Sequence, residues 1–312
     1  MSKSFYFSLK PLIPYWQSSR PLDLDRQFGR KAFTEVEIGF GIGEYFVRVA
    51  GRHPERNFLG IDNSWVASRR TMRKIAQTNL VNVRLLLADA RLAFERLLKP
   101  RSIQRVYALF PCPWPKKRHI KYRLFSADFL RILNSRLKAR GEFQLVSDHK
   151  TYVDWVVQEA VGTGFSVDLK SVPARFDTKY ERKWQEHGQK NFYELRLIKE
   201  KPCKIKVKGD EILKTYRLDL FNPENFAPAN QSGEHTVVFK EFIFDAKRQK
   251  ALSEVITVEE GLRQHFWVAI SREKGKWNIH VSSGSMVIPS EAVKEALELV
   301  YQAAVKSGAE ES

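Results

Sequence analysis

Between Thr34 and Lys199, short aliphatic or β-branched runs alternate with longer helical patterns, and that alternation admits few folds. Strands that recur after helical crossovers lie parallel, and a parallel sheet has to be covered by helices. The pattern predicts strands over residues 35–38, 57–61, 83–87, 105–110, 143–147, 165–169 and 193–198. Helices are predicted over 44–50, 65–78, 91–99, 122–137 and 153–162, with Ser64 capping the second and Thr151 the fifth. The expectation is a doubly wound, Rossmann-like α/β sheet with helices on both faces.

Residues 1–30 carry no clear periodicity and read as an N-terminal arm, while 199–203 mixes charge with Pro202 as a linker does. This places one domain at 31–199 and a second at 204–312. In the second, strands are predicted over 204–207, 216–220, 237–244, 265–270 and 277–281. A final helix over 289–306 aligns Val293, Leu297 and Val300 on one face, so the domain reads as a small α+β unit.

Composition narrows the class. Of 312 residues 43% are hydrophobic, which excludes intrinsic disorder and is enough for two ordinary cores. No apolar run reaches the roughly 18 residues of a membrane span. Lys10, Pro11 and Pro14 interrupt the N-terminal stretch, so no signal peptide is expected and a cytoplasmic location is. Two cysteines, Cys112 and Cys203, suit a reducing compartment and predict neither a disulfide framework nor a metal site. Residues 201–312 hold 16 basic and 16 acidic side chains; the first 200 hold 37 against 20, and thus the whole net charge of +17. A basic excess confined to one part of the chain points to a phosphate backbone as partner. The neutral C-terminal domain is expected to stabilise, dimerise or contact a partner, with monomer and homodimer both open.

After the first strand comes Glu37-Ile-Gly39-Phe-Gly41-Ile-Gly43-Glu44. Its G-x-G-x-G spacing departs from the dinucleotide G-x-G-x-x-G, and Glu44 at the helix start would repel a pyrophosphate. S-adenosylmethionine, with its cationic sulfonium and amine, fits better. Asp62, ending the second strand, is placed to take a ribose, and Asp89, in Leu87-Ala-Asp89-Ala90, to read the adenine amino group. Past the fourth strand lies Phe110-Pro-Cys112-Pro-Trp114-Pro-Lys116-Lys117-Arg118-His119, a proline-stiffened loop at the edge where open α/β sheets bind ligands. From Lys116 to Arg140 there are nine Lys or Arg and one acid, Asp128, and a helix from Tyr122 is expected to carry Arg123, Arg131 and Arg136 outward toward an anion.

These segments, with Asn57-Phe-Leu-Gly-Ile-Asp62, Ser147-Asp148 and Thr178-Lys179-Tyr180-Glu181-Arg182, resemble the bacterial tRNA (guanine-N7)-methyltransferases over about residues 31–199. The resemblance implies a seven-stranded methyltransferase sheet, S-adenosylmethionine as donor, and methylation of a guanosine in tRNA. It assigns Glu37, Gly39, Gly41, Gly43, Asp62, Asp89 and Ala90 to the donor. Lys116, Asp148, Thr178, Lys179, Tyr180 and Glu181 are assigned to the guanosine and its RNA, and Lys117, Arg118, Lys121 and Arg123 to the RNA backbone.

One position departs from the pattern: Cys112 stands where the family has an aspartate. Guanine N7 already carries its lone pair, so alignment with the donor methyl and stabilisation of the emerging positive charge are what the site must supply; Asp148 is the candidate for the second. Two alternatives hang on Cys112. One is a thiolate attacking C5 of a cytosine, with Lys116, Lys117 and Arg118 lowering its pKa. The other is a silent tRNA-binding scaffold.

Overall fold

The computed structural model describes residues 7–260 and 262–309. Contacts divide the chain into two units, Met1–Lys208 and Gly209–Ser312.

In the first unit seven strands form one sheet: β1 (Thr34–Ile38), β2 (Asn57–Asp62), β3 (Val83–Leu87), β4 (Ile103–Leu109), β5 (Leu137–Ser147), β6 (Phe165–Pro173) and β7 (Asn191–Lys199). Their order is β3-β2-β1-β4-β5-β7-β6. The first five run parallel, and β7 is antiparallel to both its neighbours, a departure from the all-parallel expectation. All five residues of central β1 are buried, as a strand covered on both faces requires. Helices α2 (Glu44–Arg52), α3 (Trp65–Thr78), α4 (Ala90–Leu92, continued by a wide turn Ala93–Leu97), α5 (Ala127–Arg136), α6 (Lys150–Glu159) and α7 (Lys179–Glu186) follow the strands; α1 (Leu24–Phe28) precedes them. Strand order reverses between β1 and β4, which opens a crevice at their carboxyl ends.

The arm is more structured than its sequence suggests. Ile13 N–H donates to the Leu85 carbonyl at 2.9 Å and Leu85 N–H to Pro11 at 2.7 Å, so the arm extends the β3 edge, with Ile13 and Leu22 buried. Its first six residues lie outside the described ones.

Ser64 caps α3 by accepting from Ala67 N–H. The cap of α6 is His149, whose Nδ1 accepts from Tyr152 N–H, and not Thr151; the helix starts three residues before the expected 153 because His149 is itself fixed by Ser147 Oγ. The helix expected from Tyr122 begins only at Ala127, because residues 117–122 close a tight 3-10 turn first. Arg136 is fully buried, contrary to expectation, and donates to the carbonyls of Phe94 and Ile205 and to Ser135 Oγ at 2.7–2.9 Å. Burial holds its guanidinium down at about 10. Residues 204–207 form no strand; they pass beside Arg136 within the first unit, where the Ile205 and Lys206 carbonyls accept from it.

In the second unit, β8 (Tyr216–Leu218), β9 (Thr236–Asp245), β10 (Lys250–Glu259), β11 (Leu262–Glu273) and β12 (Lys276–Val281) form an antiparallel sheet ordered β8-β12-β11-β10-β9. Helix α8 (Glu291–Ala309) packs Val293, Leu297 and Val300 onto Val255, Phe266, Val268 and Ile279. Strand β10 escaped the sequence reading because its inward row includes Ser253 and Thr257, each 1% exposed, among Ala251 and Val255, which blurs the apolar alternation.

Candidate active site

A cavity of about 640 Å³ opens at the β1/β4 crevice, within the size range of small-molecule sites. The glycine loop forms one wall. Gly39, Gly41 and Gly43 have φ of 74°, 53° and 70°, so the loop turns through conformations that side chains resist. A Cβ on Gly43 would also lie 2.5 Å from Thr71 Oγ1, which lets α2 start close against α3.

Two carboxylates face this wall. Glu37 lines the cavity at 3% exposure, and its Oε2 is buried without a hydrogen-bond partner. Burial, then the nearby Asp62 charge, pushes its pKa up from 4.5 to about 8. A buried carboxylate with an unsatisfied oxygen, on a residue that lines a ligand-sized cavity, fits a cationic amine. Asp62 accepts from Gly41 N–H at 3.0 Å and Ser64 N–H at 2.8 Å, fixing the loop, and each oxygen keeps a lone pair for a ligand hydroxyl. Its pKa is raised by burial against the lowering effect of those two bonds.

The opposite wall is the 110–115 loop with Tyr122, Leu124, Phe125 and Tyr152, and the rim is Thr178, Lys179 and Tyr180. Cys112 is exposed and lines the cavity, as does Trp114, whose ring meets His119 edge-on at 5.7 Å and Tyr122 at 5.4 Å. Lys116, Lys117, Arg118 and Lys121 are exposed.

Several expected residues are placed otherwise. Arg123 is 8% exposed and donates to the carbonyls of Pro113 and Trp114, so it braces the loop from inside and offers nothing to an RNA backbone. Glu181 is 1% exposed, with its carboxylate accepting the backbone N–H of Arg175 at 2.8 Å and that of Asp177, while Thr178 Oγ1 accepts from Glu181 N–H; both residues cap α7. Asp89 caps α4 through Leu92 N–H, and neither it nor Ala90 is among the residues that line the cavity. The same holds for Asp148, Lys116 and Gly43. Glu44, read as a bare repulsive charge, is held by Arg182 at 2.7 Å with Lys74 at 3.9 Å. Sequence reasoning missed Tyr45, Arg70 and Tyr152 in the lining, which come from helices facing the cavity and carry no motif.

Among the described residues no cluster of three or more His, Cys, Asp or Glu side chains could hold a metal, and no helix is long and apolar enough to cross a membrane.

Residues 31–194 match the family model described as "Putative methyltransferase". Over 53% of its length the chain is 45% identical to the tRNA (guanine-N(7)-)-methyltransferase of Chlorobium phaeobacteroides, covering 81% of that protein. It is 33% identical to the protein of that name from Thermotoga maritima, with 92% of this chain and 94% of the relative covered. For Aquifex aeolicus the figures are 28%, 93% and 98%. The two longer matches run into the second unit, beyond the span of the sequence resemblance. A crevice with an unpaired buried carboxylate, behind a glycine loop, thus sits in a chain matched almost end to end: it belongs to the tRNA (guanine-N(7)-)-methyltransferase family.

Proposed function

We infer that the chain transfers a methyl group from S-adenosylmethionine to N7 of a guanosine in tRNA. The observation that carries this reading is family membership along nearly the whole chain, joined to a cavity whose buried carboxylate lacks a partner. Neither alternative resting on Cys112 is favoured by these relatives.

When bound, the donor supplies an electrophilic methyl: the N7–methyl bond forms as the sulfur–methyl bond breaks, and the positive charge passes from sulfur to the purine. Glu37 would pair with the donor's amine, satisfying its orphan oxygen, and Asp62 would accept from the ribose. The loop through Gly39 and Gly41 lets backbone approach the donor closely. Trp114 and Tyr122 would stack the extruded guanine, with Thr178, Lys179 and Tyr180 along the opposite lip. Lys116, Lys117, Arg118 and Lys121 would meet the phosphate backbone. Cys112 needs no chemical role, since N7 requires no base and the site works by alignment.

The test is methyl incorporation from labelled S-adenosylmethionine into unmodified tRNA, with nucleoside digestion. 7-Methylguanosine is expected; 5-methylcytidine, or binding of both substrates without transfer, overturns the reading.

A further inference from the structure

The 110–115 loop is held in a conformation its own sequence cannot sustain. Phe110 and Trp114, neither of them glycine, have φ of 53° and 44° and bracket Pro111-Cys112-Pro113. Left-handed backbone of this kind costs on the order of 1–3 kcal/mol per residue and persists only where surroundings over-determine it. Prolines 111, 113 and 115 have no N–H, so the loop cannot brace itself with internal backbone bonds at those positions.

At Phe110 the brace is the sheet: its N–H donates to the Val146 carbonyl at 2.7 Å and its ring meets Phe192 edge-on at 5.3 Å. At the other end it is Arg123. Its Nε donates to Pro113 O at 3.0 Å and its Nη2 to Trp114 O at 3.3 Å, so one planar fork reads two successive carbonyls. The guanidinium lies 5.0 Å from the Trp155 ring and 5.5 Å from the Tyr152 ring, which are stacked within 15° of each other on α6. Among the described residues no carboxylate pairs with Arg123, so carbonyl dipoles and ring faces carry its charge.

We propose that Arg123 is a positioning residue for methyl transfer: by clamping Pro113 and Trp114 to the aromatic wall of α6 it sets Trp114 at the cavity, without touching donor or guanosine. The proposal rests on the function inferred above. It accounts for a buried arginine directly after four exposed cations, Lys116, Lys117, Arg118 and Lys121. It also says why lysine cannot replace it: an ammonium holds the charge but can neither fork across two carbonyls nor stack as a plane.

The experiment compares Arg123→Lys with the unaltered chain. The unaltered chain is assayed first, so that absence of 7-methylguanosine there sinks the inferred function and leaves Arg123 aside. Given an active chain, Arg123→Lys is expected to lower kcat about 10- to 100-fold, the scale of a small misplacement of reacting groups. Donor affinity should stay within about twofold, since the Glu37 wall is untouched. The Trp114 indole N–H resonance should shift or broaden, a readout independent of turnover. In Arg123→Ala, added methylguanidine should recover part of kcat. If Arg123→Lys fails to fold, Trp155→Leu, which removes one ring face and leaves the fork, should lower kcat by a smaller factor with the donor still bound. A folded Arg123→Lys, or failing that a folded Trp155→Leu, with unchanged kcat and unchanged Trp114 resonance overturns the proposal. So does a loss of donor affinity and turnover in equal measure, which would mark general damage.

Discussion

Arg182 reaches from the first turn of α7 to Glu44 at the start of α2, 2.7 Å away, and holds Asp177 at 2.6 Å with its other nitrogen. Arg48 on α2 donates to the same Asp177 at 3.2 Å and to the Phe176 carbonyl. The start of α2, beside the glycine loop, and the Thr178–Tyr180 lip are therefore tied by charges that are substantially exposed. Such exposed pairs add little to global stability and weaken in salt. Arg182→Ala should leave the melting temperature nearly unchanged while hydrogen exchange across residues 177–186 accelerates. Equal exchange in both proteins would show that the lip is held by packing instead.

With Glu37 at the proposed amine site, donor binding should depend on pH. Its folded-state pKa, raised from 4.5 to about 8, means that without donor the carboxyl is largely protonated at neutral pH. The acid form is the one burial favours, so the stability associated with this group is complete below about pH 4.5, falls as pH rises to about 8, and is level above. Glu37→Gln should remove that decline. It should also weaken donor binding by about 10- to 100-fold, as loss of a buried charge-assisted bond does.

If Glu37 ionises to meet a cationic amine, binding near pH 7 must release protons. Titration calorimetry in buffers of different ionisation enthalpy should detect close to one proton lost per donor bound, and none with Glu37→Gln. Identical proton counts would remove Glu37 from the amine site.

Cys112 should be dispensable. It is exposed on the cavity wall, in a reaction that needs no base. Cys112→Ala should keep kcat within roughly threefold, because the alignment it shares in is set by its neighbours. Cys112→Asp, which places the aspartate that the sequence resemblance implies at this position, should be at least as active. Loss of activity in both would establish a chemical role for sulfur.

Gly43→Ala should lower stability and donor affinity together, since the new methyl meets Thr71 at 2.5 Å in a backbone at φ 70°. Gly162→Ala, at φ 71° with nothing within 4 Å of its Cβ, supplies the control for backbone strain alone, about 1 kcal/mol. If the two variants melt alike, the contact with Thr71 relaxes freely.

The sheet was legible because β1, β2 and β3 are buried runs bounded by turn chemistry, and the glycine loop because its spacing leaves few alternatives. The carboxylates and the proline-rich strip announced the cavity through their positions at strand ends. What stayed hidden was direction. Arg123, Arg136 and Glu181 look like surface charges in sequence, yet each is buried to satisfy backbone groups: Arg123 those of the preceding proline loop, Arg136 those of Phe94 and Ile205, and Glu181 those of the turn before its own helix. Strand β7 reads like its neighbours because reversal leaves no mark on a short apolar run.

Arg136 and its neighbour Asn134 also decide where the methyltransferase unit can be cut. Asn134 donates to Lys201 O at 3.1 Å and accepts from Cys203 N–H at 2.9 Å, and Arg136 donates to Ile205 and Lys206. The tether read at 199–203 is thus bonded to Asn134, and residues 205 and 206, read as a strand, are internal acceptors for a buried cation. A chain severed at Lys199 would keep the Phe94, Glu95 and Ser135 partners of Arg136 but lose the Ile205 and Lys206 carbonyls, whereas one severed after Lys208 would take those acceptors along. Any recombination that transplants this catalytic unit must carry those nine residues with it.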